Sequence, residues 1–460
     1  MNNLDLKNKN VTVIGAAESG VSVAKLLKRI GANVFVSDIA TSDKLKSYVS
    51  ELEASNIDYE LGKHSDKVYQ CELMVVSPGV PGNSPVILEA RKRDIRIISE
   101  LELGSWFCRA PIVAITGSNG KTTTTTLIGR ILKNAEKKHI VAGNISPAFT
   151  SIVLGLAETD IAVLEVSSFQ LDDIESFHPS ISVLLNITPD HMDRYHNSME
   201  NYSASKARIF KNQSGDDVLI YNVDDEWTVK TVSRAKCKKL GFSVKMELIE
   251  GAFIENNKLV SRLSGKKEEV IDIDRIFIKG IHNLYNSMAA TLTCLLLGVE
   301  VEVIQKTLEE FRGVEHRLEY FAEVNGVKFY NDSKATNVDS VWYALRAFKQ
   351  PIILLLGGRD KGNDYSRLYD LVKDKVKVII AIGESADKVV NSFSHLTHVE
   401  KASSMEQAVF KAYNFANSGD IVLLSPACAS FDWFENYEHR GRIFKELVSK
   451  LAKKGQVDAT

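Results

Sequence analysis

The chain predicts an α/β protein made of several doubly wound domains, and three observations predict it. Short apolar runs rich in β-branched residues recur along its length and read as strands buried on both faces of parallel sheets. Stretches of helical periodicity separate them, and glycine-rich turns stand where a strand gives way to a helix. At 460 residues the chain exceeds one ordinary core, so about three domains is the length expectation, with two as the alternative.

Taken in order, residues 11–14 read as a buried strand, 15–20 as a turn, and 21–30 as a helix with Val23, Ala24, Leu27 and Ile30 on one face. Gly31 ends that helix. Residues 33–37 form a second strand closed by Asp38, and 73–77 another that runs into P-G-V-P-G, which makes a βαβ nucleotide-binding unit. Residues 99–109 read as a helical connection. The next domain opens with the strand I-V-A-I-T, the turn G-S-N-G-K-T and a threonine-rich helix start. Residues 161–166 and 181–187 are continuous apolar runs, hence buried strands, and Glu165 and residues 188–191 stand at their C-terminal ends. Active sites of open α/β sheets lie at that edge. From about 236 to 278 the pattern shortens and predicts antiparallel strands, followed by a helix over 284–297. A third domain begins near Gly313, with strands at 352–356, 376–382 and 421–424 and helices such as 338–348 and 405–416. There is no internal sequence repeat.

Composition narrows the function classes. The chain is 44% hydrophobic and 25% charged with 9 prolines, a soluble globular balance that leaves no room for long disordered segments. Its formal net charge of −2 argues against a general nucleic-acid or membrane-surface binder, so any anion site is local. Cys71, Cys108, Cys237, Cys294 and Cys428 lie far apart without a C-x-x-C pair, which is neither a disulfide framework nor a zinc pattern. Reduced thiols, the absence of a signal-peptide pattern at M-N-N-L-D-L-K-N-K-N and the absence of a bilayer-length apolar run give a cytoplasmic expectation.

The residues with chemical content begin at the second glycine turn. Gly117 and Gly120 let the backbone turn tightly, so that N–H groups of Gly117, Ser118, Asn119 and Gly120 and the following helix N-terminus converge on phosphate oxygens. Lys121 is placed to reach the β- and γ-phosphates, and Thr122, with Thr123 beside it, to hold Mg²⁺. Ile115 stands where the ordinary P-loop has its first glycine, so the loop is a shortened variant. A glycine turn that happens to precede a lysine is the plainer alternative, and the flanking strand and helix argue against it. The first turn, G-A-A-E-S-G, is a weaker signal because a dinucleotide fingerprint puts glycine at the position of Ala17. Asp38 either accepts from a ribose or uracil group or simply ends its strand. Glu165 faces the phosphate loop as an oxygen donor for Mg²⁺. His191 ends the strand beside it, as a metal ligand or as a hydrogen-bonded structural residue. Lys206 stands at a helix start, where the plain reading is a solvated charge.

Together, G-S-N-G-K-T, E-V-S-S-F-Q-L, N-I-T-P-D-H-M-D-R-Y, H-N-L-Y-N, E-H-R-L-E, N-D-S-K-A-T-N, G-G-R-D-K and L-L-S-P-A-C-A-S-F-D resemble the motifs of the Mur ligases, in order and over nearly the whole chain. The resemblance implies three domains: a Rossmann-like UDP-substrate domain at 1–102, a P-loop ATPase domain with a mainly parallel sheet at 103–312, and a Rossmann-like amino-acid domain at 313–460. It implies ATP-dependent amide ligation in cytoplasmic peptidoglycan precursor synthesis, with D-glutamate joined to UDP-N-acetylmuramoyl-L-alanine through an acyl phosphate. The expected partners are those three small molecules, with no nucleic acid or membrane, and the expected state is a monomer.

Residue by residue, the resemblance makes Lys121 and Thr122 triphosphate and Mg²⁺ contacts, Glu165 the other ligand of the first ion, and His191 a ligand of a second. Lys206 corresponds to a lysine that the family carbamylates, which turns a cation into an anionic oxygen donor. Asn283 and Asn286 resemble adenine contacts, and Arg317, Asp332 and Lys334 complete the nucleotide site. Thr336 and Lys361 resemble contacts to the α-carboxylate of the amino acid, and Ser430 with the backbone of Tyr437 to its side-chain carboxylate. Ser19, Asp38, Gly79, Asn144 and His191 resemble UDP-substrate contacts. A sister ligase adding L-lysine or diaminopimelate is the alternative within this chemistry. A dehydrogenase built on the first βαβ unit is disfavoured by Ala17, and a non-catalytic nucleotide binder by retention of Glu165, His191, Lys206 and Asp332 together.

Overall fold

The computed structural model describes residues 6–190, 192–360 and 362–457. Its strands form three α/β sheets. The first contains β1 (Asn10–Ile14), β2 (Asn33–Asp38), β3 (Asp58–Leu61), β4 (Leu73–Val76) and β5 (Arg96–Ser99), all parallel in the order β3-β2-β1-β4-β5. Chain direction across the sheet reverses at β1, so the loops after β1 and β4 bound a topological switch point, where such sheets bind ligands.

The second sheet contains β6 (Ile112–Thr116), β7 (His139–Gly143), β8 (Ile161–Glu165), β9 (Ile181–Leu184), β10 (Val218–Asn222), β11 (Lys238–Ser243), β12 (Gly251–Glu255), β13 (Lys258–Leu263) and β14 (Lys266–Asp272), in the order β14-β13-β12-β11-β10-β9-β6-β8-β7. The phosphate-loop strand β6 is central, and Ile115 stands in register with Glu165 of β8, which in turn pairs Gly143 of β7. Three expectations need correction. The strand predicted over 181–187 ends at Leu184, because the Leu185 and Asn186 backbone turns inward to bond Thr116 and Ser118. That strand flanks β6 on the side opposite β8 rather than lying beside it. Within 236–278, only β12–β13 and β13–β14 are antiparallel, since β11 follows the crossover helix Glu226–Val232 and continues the parallel ladder, and β12 joins it with Gly241 opposite Gly251.

The third sheet holds β15 (Glu319–Val324), β16 (Val327–Asn331), β17 (Ile352–Gly357), β18 (Val376–Ile382), β19 (His398–Lys401) and β20 (Ile421–Leu424), in the order β15-β16-β20-β17-β18-β19, parallel except for the β15–β16 hairpin. Strands β17 and β20 are buried at every position, as their unbroken apolar runs require. The chain divides into two compact units, residues 1–272 with 285–307, and residues 273–284 with 308–460. The first unit therefore holds the first two sheets and the second unit the third. Among the described residues, no helix is long and apolar enough to cross a membrane.

Candidate active site

The phosphate loop is clamped from a neighbouring strand end. Asn186, just beyond β9, accepts the Ser118 N–H on its carbonyl at 2.9 Å and the Asn119 N–H on its side-chain oxygen at 2.8 Å, and its amide donates to the Asn119 carbonyl at 3.0 Å. Those two N–H groups, expected to face phosphate, are thus engaged within the protein. The helix Lys121–Asn134 presents its first-turn N–H groups at its end. Gly120 has φ +87°, and a β-carbon there would sit 2.3 Å from the Asn286 side-chain oxygen, so glycine is required. Asn286 consequently lies against the phosphate loop itself. Asn283 stands one turn before it on the helix Ile281–Leu296, and both are buried. Thr122 and Thr123 are buried in the first turn of the phosphate-loop helix, and Lys121 folds back so that its ammonium donates to the carbonyls of Gly117 at 2.8 Å and Ser118 at 2.9 Å.

Lys206 corrects one expectation and sets aside the plainer alternative. It stands in the last turn of the helix Met199–Ala207 rather than at its start, and it is 1% exposed rather than solvated. Its Nζ donates to the same Gly117 carbonyl that Lys121 reaches, at 2.9 Å, and lies 4.5 Å from the centre of the Tyr202 ring. Burial, followed by the nearby Lys121 charge, holds its amine well below the ordinary lysine range, with Asp190 and Asp172 opposing.

Glu165 is 2% exposed at the end of β8. One carboxylate oxygen accepts from the Asn144 amide at 3.0 Å, and the other is buried without a hydrogen-bond partner among the described residues. An orphaned carboxylate oxygen beside the phosphate loop suits a divalent cation, which wants oxygen donors alongside phosphates. Thr122 supplies a second oxygen donor in the first turn of the helix that follows the phosphate loop, so the residue types present fit Mg²⁺. His191 lies outside the described residues.

Asn144 also lines a pocket of 740 Å³ at the switch point of the first sheet, together with Ser19, Asp38 and Gly79. Four of the five expected UDP-substrate residues therefore line one cavity, the fifth being His191, and Asn144 links that cavity to Glu165. Asp38 spends each carboxylate oxygen on the backbone, accepting from Ala16 N–H at 2.7 Å and Ala40 N–H at 2.8 Å. It shapes the first glycine loop as Asn186 shapes the second. In that first loop Gly15 has φ +101° and a β-carbon there would meet Ser77 at 2.8 Å, whereas Ala17 is exposed with φ −83°.

In the second unit, the loops after β16 and β20 and the start of the helix Tyr437–Val457 meet. Asp332 is 3% exposed and accepts from Leu318 N–H at 3.1 Å and Ser425 Oγ at 2.8 Å. Burial raises its carboxyl to about 7 against the opposing pull of Arg317. Arg317 Nε is buried without a hydrogen-bond partner among the described residues. Arg440, unforeseen from the sequence, is 1% exposed and donates to Ser333 Oγ at 2.9 Å, to the Ser333 carbonyl at 2.8 Å and to the Cys428 carbonyl at 3.1 Å. Ser333 Oγ in turn donates to the Tyr437 carbonyl at 2.8 Å. One buried guanidinium thus joins the three segments that carry Lys334 and Thr336, Ser430, and Tyr437. Ser430 is 2% exposed, Thr336 and Lys334 are half-buried, and Lys361 lies outside the described residues.

Fold and strand-end chemistry together define a nucleotide-handling α/β enzyme, and comparison with known proteins gives its family. The model described as Mur ligase MurD-like, N-terminal domain matches residues 9–99, Mur ligase middle domain matches 115–294, and Mur ligase, glutamate ligase domain matches 316–428. The chain belongs to the Mur ligase family. It is 44% identical to the UDP-N-acetylmuramoylalanine–D-glutamate ligase of Chloroherpeton thalassium, over 98% of this chain and 100% of that protein. It is 45% identical to the ligase of the same name from Alkaliphilus oremlandii, over 97% of this chain and 100% of that one. Among solved structures it is similar in fold to UDP-N-acetylmuramate-alanine ligase MurC from Thermotoga maritima, with a TM-score of 0.60, 20% identity, and coverage of 96% of this chain and 99% of that one. The MurF ligase from the same organism, solved in complex with ADP, gives a TM-score of 0.59 at 16% identity, over 99% of this chain and 100% of that one.

Proposed function

We propose that this chain is an ATP-dependent ligase that joins D-glutamate to UDP-N-acetylmuramoyl-L-alanine in cytoplasmic peptidoglycan precursor synthesis, acting as a monomer. The observation that carries the reading is the linkage within the first unit. The phosphate loop, the orphaned Glu165 oxygen and Asn144 stand in register at one sheet edge, and Asn144 also lines the switch-point pocket. The curated relatives bearing that activity in their names match from end to end. We assign residues 1–102 to the UDP substrate, 103–312 to ATP and 313–460 to the amino acid.

In the proposed reaction the alanine carboxylate oxygen attacks the γ-phosphorus, the bond to the bridging oxygen breaks, and ADP leaves an acyl phosphate. The D-glutamate amine then attacks the carbonyl carbon, gives up a proton, and phosphate departs from the tetrahedral intermediate. Catalysis here is positioning and charge neutralisation. The helix N-terminus at Lys121 and the Lys121 ammonium orient the triphosphate. Thr122, Glu165, His191 and carbamylated Lys206 would hold two Mg²⁺ ions, which neutralise charge on the phosphoryl oxygens. Carbamylation joins Lys206 Nζ to the carbon of CO₂ with release of a proton, and it needs a neutral amine. The buried position of Lys206 beside Lys121 favours that neutral form. Asn283 and Asn286 are read as adenine contacts, and Arg317, Asp332 and Lys334 as the second unit's groups for the nucleotide. Thr336, Lys361, Ser430 and the Tyr437 backbone are read as the clamp for the two carboxylates of D-glutamate.

The test is phosphate release from ATP with UDP-N-acetylmuramoyl-L-alanine and a panel of D- and L-amino acids. A clamp that pairs both carboxylates leaves buried polar groups unsatisfied when one is missing, so D-glutamate supports turnover and D-alanine does not. Equal rates with L-lysine and D-glutamate would sink the assignment.

A further inference from the structure

The switch-point pocket has two chemically different ends. Toward β1 and β4 it is walled by Gly15, Ala17, Ser19, Ser77 and Gly79 at the N-terminus of the helix Glu18–Arg29, an end suited to phosphate. Toward β2 and β3 it is walled by Asp38, Ile39, Tyr48 and His64. Ile39 leaves an aliphatic side chain 69% exposed there, and Tyr48 adds an aromatic ring. Doubly wound sheets bind nucleotides in the crevice at such a switch point, with a strand-end carboxylate on the ribose side, and these apolar side chains supply surface for a nucleobase beyond it.

His64 is the polar group of that end whose hydrogen-bonding sense can be derived. Its Nδ1 lies 2.7 Å from Ser37 Oγ. Ser37 Oγ also lies 2.9 Å from Glu60 Oε1 and 3.4 Å from the Lys63 carbonyl, both of which can only accept. A hydroxyl has one proton, and the carboxylate is its strongest claimant, so Ser37 donates to Glu60 and must accept from His64. Burial raises the Glu60 carboxyl, but hydrogen bonds from Ser65 and Ser37 outweigh it and keep the group on the ionised side of its ordinary value. The proton of the imidazole is therefore on Nδ1, and Nε2, without a protein partner among the described residues, carries a lone pair. Burial lowers the imidazole below its ordinary range, with Asp38 and Glu60 opposing, which keeps the ring neutral near pH 7.

We infer that His64 Nε2 reads the base of the nucleotide by accepting the N3–H of uracil, with Ile39 and Tyr48 covering the faces of the ring. Cytosine presents an unprotonated nitrogen at the same position, so two lone pairs would oppose each other. The device selects uridine over cytidine nucleotides by direct hydrogen-bond sense, and Ser37 is its positioning residue. This inference rests on the reading of the pocket as the UDP-substrate site.

Calorimetry of UDP and CDP binding to the full chain separates the two. The wild-type protein binds UDP more tightly than CDP. In His64→Phe, which keeps a ring of similar size without an acceptor, UDP affinity falls about tenfold and the UDP-to-CDP ratio approaches one. His64→Gln, whose amide oxygen can accept, retains a ratio above that of the Phe variant, and in Ser37→Ala the ratio falls without removal of the ring. Thermal unfolding profiles establish that each variant is folded. A His64→Phe protein that binds UDP with the wild-type ratio overturns the role of His64 and leaves the pocket assignment standing. A wild-type protein that binds neither nucleotide overturns the pocket assignment and the inference with it.

Discussion

The first unit contains two strand–glycine loop–helix turns that differ in how they are held. The loop after β1 is clamped by a carboxylate, Asp38, and the loop after β6 by a neutral amide, Asn186. Both clamps come from the end of a neighbouring strand and both accept a loop N–H. The surroundings differ in the same sense. Around the second loop, Lys121 and Lys206 converge on one carbonyl and a buried carboxylate oxygen is left over, whereas the first loop has the acidic Glu18 in its helix and no lysine among the described residues that line its pocket. Backbone shape alone does not choose the ligand. A loop that takes a triphosphate cannot have an anionic clamp at its centre without compensation, while a loop that meets a diphosphate only at one end can.

The largest effect expected from breaking this arrangement is at Lys206. As the proposed carbamate, Lys206 would supply a metal ligand, so Lys206→Ala should reduce turnover by about 10²- to 10³-fold, the scale of losing a group that stabilises transition-state charge. UDP-substrate affinity should stay unchanged, because the switch-point pocket does not include Lys206. A small added carboxylate should restore part of the rate. Steady-state kinetics with and without formate checks all three, and wild-type turnover in the variant would reject the carbamate.

The clamp comparison itself is tested by exchanging charge. Asn186→Asp keeps an oxygen for the Asn119 N–H and adds a negative charge beside the triphosphate. For two charges ~6 Å apart at an effective dielectric near 20, repulsion is about 2–3 kcal/mol, or roughly a 30- to 150-fold rise in KM for ATP. Asp38→Asn should leave KM for ATP unchanged, since that loop serves the other pocket. Equal effects of the two substitutions on ATP would remove the distinction.

A third strand-end clamp, Asp332 in the second unit, sharpens the point because it can change its own charge. Its carboxyl is raised to about 7 by burial, whereas in the unfolded chain it ionises near 3.8. Between pH 5 and pH 7 the folded state holds the proton that the unfolded state has lost, so stability falls as pH rises, by about 2 kcal/mol over that window. Urea unfolding of the wild-type protein and Asp332→Asn at both pH values should show the slope in the first and a flatter response in the second.

Much of this was legible in the sequence because it depends on local patterns. Strands β18 and β20 match their apolar runs to the residue, and Glu165, Asp38 and the phosphate loop stand where strand ends can be read. The strands that the pattern omits are mostly short edges, such as β3 (D-Y-E-L) and β19 (H-V-E-K), whose charged residues are exposed or half-buried and blur the periodicity. Interior strands β10 and β16 escape as well; β16 alternates buried with half-buried positions. Asn186, His64 and Arg440 could not be read, since each acts on backbone or side chains brought to it by sheet order, and a polar residue in a loop has no period. Lys206 misleads for the same reason. S-A-S-K-A-R-I-F carries no sign that the phosphate loop covers the Lys206 amine.

The smallest expected effect returns to the first loop and to the residue that separates it from a dinucleotide fingerprint. Ala17 is the N-cap of the helix Glu18–Arg29, with φ −83° and ψ −168°, ordinary extended backbone that any residue adopts, and its β-carbon is exposed. Ala17→Gly therefore neither relieves strain nor reshapes the loop, which stays pinned by Asp38 at Ala16 N–H and by the close approach of Gly15 to Ser77. As N-cap residues glycine and alanine differ by well under about 2 kcal/mol, so stability should move little. UDP affinity should remain within about threefold of wild type, a shift below 1 kcal/mol. NAD should still fail to bind, because the ligand choice lies in the pocket walls at Asp38, Ile39 and His64 rather than in one methyl group. Calorimetry with both nucleotides decides it. Tight NAD binding by Ala17→Gly would mean that the methyl group alone separates the two functions, and the contrast between the loops would then rest on close approach of the backbone instead of on their clamps.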